Sequence, residues 1–212
     1  MGQTADEHRV SEPSEDVGVR VSRGMATRGA LVSAALELFA EKGVEHTSVD
    51  EITAAAEVAK GTFYVHFLRK QDVLLEWAAQ LVDNLDTTCL ADDVPQALRD
   101  LGAQLATTMA TGPRPVVGRM VREMVGNRGA WIQVLGDRQP LWARIIPIIE
   151  RGQAAGTIRD DMTPLRLATA LTILWLDNVV GWAERERARP LRQAVDLATD
   201  LFLGGATVAP NG

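Results

Sequence analysis

Residues 47–70, with the sequence TSVDEITAAAEVAKGTFYVHFLRK, contain the most informative structural pattern of this chain. Apolar side chains fall on one side of a short helix in the first half of the stretch and recur one turn apart in its second half. These apolar positions are Val49, Ile52 and Ala56, followed by Phe63 and Phe67. Residues 57–59 leave room only for a tight turn between the two helices. The stretch therefore predicts a helix-turn-helix unit whose second helix is residues 60–67.

Another helix is predicted directly before this unit. Its apolar residues follow the spacing i, i+3, i+4, i+7 and i+8, which produces one buried face. They are Leu31, Ala34, Ala35, Leu38 and Phe39. Gly43 stands where a left-handed residue commonly ends a helix, and Thr47 offers a hydroxyl to cap the next helix, with Asp50 completing a capping-box-like arrangement. We expect a three-helix domain over residues 25–70, after a polar, disordered tail over residues 1–24.

The remainder of the chain also has the pattern of helices, because β-branched and polar residues do not alternate over any convincing span. Proline and glycine residues mark most of the breaks. Helices are expected over about residues 72–88, 95–111, 142–155, 164–185 and 190–203, with breaks at 111–115 and 126–129. The predicted fold class is therefore all-α, with an N-terminal helix-turn-helix domain and a larger C-terminal helical domain over residues 71–205.

The charge of the chain is unevenly distributed. A net charge of −6 argues at first sight against a nucleic-acid partner. However, residues 17–30 and residues 58–70 each hold three basic side chains and no acidic one. Two such segments can contact phosphates on an otherwise acidic protein, although the acidic remainder weakens non-specific binding. Binding to DNA therefore has to depend on a good geometric fit, because the net charge of the protein does not favour it.

Nothing in the sequence indicates a membrane or secreted protein. No apolar run approaches the roughly 20 residues that span a bilayer. The acidic N-terminus lacks the apolar core of a secretory signal. Cys89 is the only cysteine, so the chain can form no internal disulfide, and a lone cysteine suits a reducing compartment. We expect a cytoplasmic protein that has no membrane partner.

Residues 27–75 resemble the N-terminal domain of tetracycline-repressor-like regulators, the TetR family. The resemblance is carried by Ala34, Ala35, Leu38, Phe39, Gly43, Thr47-Ser48-Val49, Ile52, the run from Lys60 to Phe67, Lys70, and the run from Asp72 to Leu75. Residues 149–159, IERGQAAGTIR, are similar to the end of the family's seventh helix. The resemblance implies an all-α homodimer of about nine helices with a ligand pocket in its C-terminal domain. It also implies a repressor whose inducer lowers its affinity for DNA.

Two positions in the turn depart from the family's pattern. The family often has glycine at position 57, where a left-handed backbone suits it, and this chain has Glu57. A non-glycine residue in that conformation costs on the order of 1 kcal/mol. The family also commonly has serine or threonine at position 59. Ala59 can neither cap the following helix nor donate to a phosphate, so we expect no side-chain cap there.

The outward face of the second helix is the predicted DNA-binding surface, since a major groove accepts one α-helix. Its ammonium, hydroxyl and imidazole groups can donate to base edges or phosphates, and its glycine permits close approach. The predicted contacts are Thr47, Lys60, Gly61, Thr62, Tyr64, His66 and Lys70. Arg20, Arg23 and Arg28 could also place an arm in the flanking minor groove. Each contact has a simpler alternative as a capping, surface or half-buried residue.

The last two predicted helices are candidates for a dimer interface. The helix over residues 164–185 is apolar on two faces and therefore needs two partners, one of which can be another subunit. Together with the helix over residues 190–203 and their copies, it would form a four-helix bundle. The predicted dimer contacts are Ile173, Leu176, Val180, Leu191, Val195, Ala198 and Phe202. The alternative is that both helices fill the core of a monomer.

The C-terminal half also contains a candidate ligand pocket. Tryptophan and methionine suit an adaptable apolar cavity, although they are equally common in a plain core. The candidate ligand contacts are Met120, Met124, Trp142, Trp175 and Asn178. Asn178 interrupts an apolar run, and a buried polar group needs a partner, which can be a ligand, another subunit or solvent. The expected effector is an unidentified small molecule of largely apolar character.

These observations predict a ligand-responsive transcriptional regulator, a repressor that binds a palindromic double-stranded DNA operator as a homodimer and is released by an inducer. Two other classes remain as alternatives, a helical protein-binding adaptor and an all-α enzyme. The enzyme has little support, because the sequence offers no metal-ligand spacing, phosphate loop or Ser/His/Asp constellation. No catalytic residue, metal ligand or cofactor is predicted. A steep loss of binding with salt would distinguish the DNA-binding protein from both alternatives.

Overall fold

Ten helices and no strand make up the part of the chain that the structure describes, residues 15–185 and 187–207 of a computed structural model, with side chains from residue 24 onward. The helices are α1 (Glu15–Lys42), α2 (Val49–Ala55), α3 (Lys60–His66), α4 (Asp72–Asp83), α5 (Val94–Ala110), α6 (Arg114–Gly126), α7 (Arg128–Leu135), α8 (Leu141–Ala154), α9 (Pro164–Glu184) and α10 (Leu191–Ala206). An isolated antiparallel bridge joins Ile158 to Thr207. The predicted all-α class is confirmed, with ten helices where about nine were expected.

α1 begins earlier than the sequence pattern predicts. Because it starts at Glu15, the prediction of a disordered tail is wrong for residues 15–24. A helix that has already nucleated extends at low cost, and no proline occurs between Glu15 and Lys42. The buried stripe that starts at Leu31 stabilises this nucleus. Residues 1–14, the remainder of the predicted tail, lie outside the described residues.

The connection between α1 and α2 has a different cap from the predicted one. Gly43 follows α1 with a φ of +84°, in the left-handed region as expected. The N-cap of α2 is Ser48, whose hydroxyl accepts a hydrogen bond from the Glu51 amide, while the Glu51 carboxylate accepts one from the Ser48 amide at 2.8 Å. Thr47 is only 1% exposed. Because Thr47 is buried, the cap moves to the next residue, and Glu51 rather than Asp50 completes the capping box.

α4 ends at Asp83, before the predicted end near Thr88. The Asp86 carboxylate accepts hydrogen bonds from the Thr88 amide at 2.8 Å and from its hydroxyl at 2.7 Å. A local turn of this kind competes with the continuation of a helix. α5, α8, α9 and α10 begin and end within three residues of their predicted bounds, whereas α6 and α7 had no predicted bounds and begin inside the two predicted breaks.

α4 connects the two parts of the fold. Residues 72–79 are all buried, and α4 contacts α1, α5, α6 and α7. On one side of α4, α2 packs on α1 and α3, and on the other side α5, α6, α8, α9 and α10 pack together. One hydrophobic core runs from α1 to α10. The helix-turn-helix is therefore attached to the C-terminal helices through α1 and α4, while much of α3 stays exposed.

Candidate nucleic-acid interface

α3, the second helix of the helix-turn-helix, has one buried side and one exposed side. Phe63 is fully buried, Phe67 is 3% exposed, and their ring centroids lie 5.5 Å apart. The exposed residues of the helix are Lys60, Gly61, Tyr64 and Val65. Positions i, i+1, i+4 and i+5 lie on one side of a helix, so these four residues form a continuous surface, which we call the α3 strip. An edge-on contact with Phe63 holds the ring of Tyr64 in place.

The turn before α3 is built as its two unusual residues predict. Glu57 has a φ of +55° and is the only non-glycine residue with a positive φ in the described part of the chain. Ala59 is the N-cap of α3 and makes no side-chain hydrogen bond. The turn is closed by the backbone, where the Val58 amide donates to the Thr53 carbonyl at 3.0 Å. The start of α3 therefore depends on backbone hydrogen bonds and on the burial of Phe63.

Lys60 forms an ion pair with Asp50 across the turn. Its Nζ lies 2.7 Å from Asp50 Oδ1, and both side chains are more than half exposed. The hydrogen bond to Asp50 raises the pKa of Lys60 above its ordinary value. An exposed pair of this kind contributes little to stability. It does hold the ammonium beside α2, so a phosphate or a base edge would have to replace Asp50 as its partner.

Thr47 and Lys70, both predicted to contact phosphate, hold the loop between α1 and α2. Lys70 Nζ donates to the Thr47 carbonyl at 2.8 Å and to the Glu45 carbonyl at 3.0 Å. The buried Thr47 hydroxyl donates to the Gly43 carbonyl at 2.9 Å. The prediction that this hydroxyl reaches a phosphate is therefore wrong for this structure, because its burial and its backbone partner keep it inside. Lys70 is half-buried, and its phosphate contact stays a prediction.

Thr62 and His66 are half-buried and flank the α3 strip. Burial, and after it the charge of Arg28, lowers the pKa of His66 below its ordinary value of 6.5. His66 also lines a cleft of 510 Å³ between the end of α3, the start of α4 and α7. Any DNA contact of these two residues would therefore lie at the margin of the strip, and both contacts stay predictions.

Arg28 lies within α1 and faces α4. Its Nη2 donates to Glu76 Oε2 at 2.5 Å, and its guanidinium carbon lies 5.0 Å from the centroid of the Phe67 ring. The prediction that Arg28 enters the minor groove is therefore wrong, because its charge is engaged at the junction of α1 and α4. The side chains of Arg20 and Arg23 lie outside the described residues, although their backbone belongs to α1.

Two further residues lie at this surface that were not predicted as contacts from the sequence, Val65 and Asp50. Val65 is 79% exposed and lies beside Tyr64 on the α3 strip. A valine in this position can contact the methyl group of thymine in the major groove. The helical period carries this signal, because Val65 is one turn after Gly61. The partnership of Asp50 with Lys60 has no comparable signal, since it depends on how α2 and α3 cross.

The predicted ligand contacts lie among the packed C-terminal helices. These residues are Met120, Met124, Trp142, Trp175 and Asn178. The Trp175 indole N–H donates to the Thr199 hydroxyl at 2.9 Å, and the Asn178 side-chain amide donates to the Leu174 carbonyl at 2.8 Å. Neither the cleft beside α7 nor a groove of 370 Å³ on α10 is lined by any of the five. The polar groups of Trp175 and Asn178 thus have partners within the chain, and ligand contact by the set stays a prediction.

Most of the predicted dimer contacts lie inside the chain. The buried ones are Leu176, Leu191, Val195, Ala198 and Phe202. Leu176 belongs to α9 and the other four to α10, and α10 packs on α5 and α9 of the same chain, so the prediction that these residues contact a second subunit is wrong. Ile173 is 60% exposed and Val180 is half-buried, and their contact with a second subunit stays a prediction. The large apolar residues that stay exposed on the two helices are Leu165 and Ile173 of α9 and Leu197 and Leu201 of α10.

The last helix of this three-helix unit presents basic, hydroxyl and small side chains on its exposed side, and a buried aromatic residue anchors its other side. These features define a helix-turn-helix DNA-binding domain. The family model for bacterial regulatory proteins of the tetR family matches residues 31–77. The chain is 30% identical over 190 residues to the transcriptional repressor DhaR of Mycobacterium sp. strain GP1, a match that covers 83% of this chain and 92% of DhaR. It is 32% identical over 177 residues to the transcriptional regulator AcuR of Cereibacter sphaeroides, covering 76% of this chain and 78% of AcuR.

The fold is also similar to that of a solved TetR-family repressor. The crystal structure of Thermus thermophilus FadR in complex with lauroyl-CoA matches with a TM-score of 0.69 at 27% identity, covering 87% of this chain and 100% of that one. The present chain belongs to the tetR family of bacterial transcriptional regulators. Its relatives are named as regulators and repressors of transcription, not as enzymes. Within the described residues, no helix is long and apolar enough to cross a membrane.

Proposed function

We propose that this protein is a repressor that binds a palindromic DNA operator as a homodimer and leaves it when a small molecule binds. The observation that carries this proposal is the α3 strip, an exposed surface of a short helix whose opposite side is anchored by the fully buried Phe63. The similarity to DhaR, which is named a repressor, supports repression over activation.

In the proposed complex, α3 lies in the major groove with its strip against the base edges. Lys60 can donate to the acceptors of guanine or to a phosphate, and the Tyr64 hydroxyl can donate to either. A Cβ added at Gly61 would meet no atom within 4 Å, so packing inside the protein does not require glycine there. Close approach of the helix to DNA is a reason for glycine that packing does not provide.

The proposed homodimer forms through the exposed apolar residues of α9 and α10. Ile173 and Leu201 are 60% and 70% exposed, and large apolar side chains exposed together mark interaction surfaces. A two-fold axis through this surface would give the dimer two α3 helices. Such a dimer binds half-sites whose centres are about 34–36 Å apart, or a multiple of that distance.

The proposed effector is a small molecule of largely apolar character. The solved relative FadR is in complex with lauroyl-CoA, a ligand with a long apolar chain. In the present chain the candidate contacts Met120 and Trp175 are fully buried. An effector at these residues would therefore have to separate side chains that now touch one another, and such a rearrangement can move α4 and the helices attached to it.

Selection of bound sites from a random DNA pool tests the central proposal. We expect enrichment of a palindrome, and we expect its affinity to fall steeply as salt rises, because phosphate contacts release counterions. A helical adaptor or an enzyme would enrich no motif. Failure to enrich any motif at low salt would overturn the DNA-binding proposal.

Variants of the α3 strip locate the contact on the recovered operator. Lys60→Ala and Tyr64→Phe should each weaken binding by about 1–3 kcal/mol if the side chains contact bases. Val65→Ala should weaken it as well, and replacing the contacted thymine by deoxyuridine, which lacks the methyl group, should weaken the wild type but not the variant. Val125→Ala removes an exposed valine of α6 and serves as the matched control. Unchanged affinity in all three strip variants would show that another surface meets DNA.

Charge placed on the exposed faces of α9 and α10 tests the dimer. Leu201→Glu should shift the protein towards a monomer in sedimentation velocity and abolish tight binding to the palindrome, while Val125→Glu, at another exposed apolar site, should leave both unchanged. A Leu201→Glu protein that remains a dimer would place the subunit contact elsewhere.

A further inference from the structure

Glu76 is a buried carboxylate where three segments of the chain meet. It lies in α4 and is 1% exposed. Its Oε2 accepts a hydrogen bond from Arg28 of α1 at 2.5 Å, and its Oε1 accepts one from Arg138 at 2.9 Å and one from Gln80 at 3.1 Å. Arg138 belongs to the turn between α7 and α8. One carboxylate therefore links the helix-turn-helix domain to a turn of the C-terminal domain.

The link continues to the end of α3. The guanidinium of Arg28 lies over the ring of Phe67, 5.0 Å from its centroid, and Phe67 is the C-cap of α3. The contacts thus run without a gap from Arg138 through Glu76 and Arg28 to the helix that carries the α3 strip. The Glu76 side chain is 2% exposed, and those of Arg28 and Arg138 are 31% and 33% exposed. Removing one of the arginines would leave the buried carboxylate with less charge compensation.

Glu76 is the main compensating group for both guanidiniums. Nε of Arg28 and Nη1 of Arg138 are buried and have no hydrogen-bond partner among the described residues. The other acidic neighbour of Arg138 is Asp83, whose side chain is 40% exposed. Its Oδ2 lies 3.5 Å from Arg138 Nε. Burial alone would raise the pKa of Glu76, but the hydrogen bonds and charges of Arg138 and Arg28 outweigh it and lower the pKa below its ordinary value. The carboxylate is therefore charged at neutral pH.

Two other ion pairs that join the domains within the described part of the chain are more exposed. Arg119 of α6 pairs with Glu45 at 2.8 Å, with side chains 37% and 62% exposed. Arg69, 45% exposed, lies 3.4 Å from Glu123 of α6. Exposed pairs are screened by water and salt and hold geometry weakly. The contacts of Glu76 are the least exposed of these ion pairs and hold the geometry between the domains most firmly.

We propose that Glu76 is a positioning residue for DNA binding, through which the turn between α7 and α8 sets the orientation of α1 and α3 relative to the C-terminal helices. The inference rests on the proposed DNA-binding function. A movement of this turn, for example on ligand binding, would separate Arg138 from Glu76. The position of Arg28, which shares the same carboxylate, would then change as well. In a dimer, a rotation of each helix-turn-helix changes the distance between the two α3 helices, and hence the half-site spacing that is bound best.

A double-mutant cycle on the full-length protein tests this role. Arg138→Gln should weaken binding to the selected operator by at least about fivefold, although Arg138 is not part of the α3 strip. It should also reduce the preference for that operator over versions lengthened or shortened by one base pair between the half-sites. In the Glu76→Gln background the same substitution should change affinity by less than about twofold, because its partner is already gone. Arg138→Lys, which keeps the charge, should recover part of the loss.

Matched controls separate positioning from general stability. Arg159→Gln removes an exposed arginine that pairs with Asp161 at the surface, and it should leave affinity and spacing preference unchanged. If Glu76→Gln does not fold, Arg28→Gln replaces it in the cycle, since it removes the other end of the same link. Equal losses from Arg138→Gln in both backgrounds, or a loss with an unaltered spacing preference, would overturn the inference. A wild type that binds no DNA would overturn the proposed function and this inference together.

Discussion

α2 and α3 have the same length, seven residues, but different interactions hold them in place. α2 begins with a complete capping box between Ser48 and Glu51. α3 begins at Ala59 without any side-chain cap, and its one buried residue is Phe63. Both helices have a fully buried residue, Ile52 in α2 and Phe63 in α3, but only α2 also has its start fixed by hydrogen bonds between neighbouring side chains and amides.

This difference suits the two helices to different tasks. A seven-residue helix is not stable by itself, so each needs support from outside its own backbone. Because α3 obtains its support from a buried aromatic side chain on its inner side, the side chains of the α3 strip are not needed for stability. They are free to be chosen for contact with DNA. The comparison predicts that both helices are sensitive to core substitutions and that α2 is also sensitive to substitution of its cap.

The largest expected effect comes from Phe63→Ala. Removing a fully buried phenylalanine costs the free energy of its burial and leaves a cavity, so the free energy of unfolding should fall by about 3–5 kcal/mol. Urea denaturation followed by circular dichroism measures this change. Tyr64→Ala, on the 52% exposed neighbouring aromatic residue, should cost much less. A similar loss for both would show that α3 is not anchored by Phe63.

A smaller loss is expected from Ser48→Ala, because it removes the N-cap of α2. The free energy of unfolding should fall by about 1 kcal/mol. The reciprocal change, Ala59→Ser, should leave stability equal or raise it, since it offers α3 the hydroxyl that it lacks. Thermal unfolding of both variants checks the pair. If Ser48→Ala unfolded at the same temperature as the wild type, the capping box would not determine where α2 begins.

Glu57→Gly should raise the free energy of unfolding, whereas Phe63→Ala and Ser48→Ala should lower it. Glu57 has a φ of +55°, where a side chain is strained by on the order of 1 kcal/mol and glycine is not. The greater freedom of glycine in the unfolded chain offsets part of this gain, so we expect an increase below about 1 kcal/mol. Glu57→Ala, which keeps the strain, is the control. A lower melting temperature for Glu57→Gly than for the wild type would contradict the strained turn.

The smallest expected effect is a pH dependence that belongs to α2. Hydrogen bonds, first from Lys42 and then from Ser48, lower the pKa of Glu51 from 4.5 to about 2. A carboxyl group with a lowered pKa stabilises the fold above its unfolded pKa, and this stabilisation is lost as the pH falls from 4.5 towards 2. The wild type should therefore lose more thermal stability on acidification through this window than Glu51→Gln, which does not titrate. Parallel losses in the two proteins would exclude this role of the capping box.

The local features of the helix-turn-helix could be predicted from the sequence. The spacing of Phe63 and Phe67 predicts the buried side of α3, and the structure confirms both as buried. The left-handed conformation at Glu57 was expected from the resemblance to the family, which often has glycine there, and the missing cap was expected because alanine has no side-chain oxygen.

Predictions that depend on which surfaces meet were less successful. The apolar stripe of α10 was correctly identified as a stripe, but its partners are α5 and α9 of the same chain and not a second subunit. Arg28 was expected in a minor-groove arm and instead pairs with Glu76, 48 positions away in the sequence. Thr47 was expected to cap α2 and is buried. A side chain's burial depends on what packs over it, and the residue type does not contain that information.

The helix-turn-helix, the buried side of α3 and the family resemblance could all be inferred from the amino-acid sequence, because they depend on short-range periodicity and on a recurring motif. The pairing of Lys60 with Asp50, the exposure of Leu197 and Leu201 on α10, and the contacts by which Glu76 joins the two domains became known only from the folded structure. The physical reason is that amphipathic periodicity specifies that one face of a helix is covered. What covers it, and which charges meet as a result, is set by contacts between residues far apart in the chain.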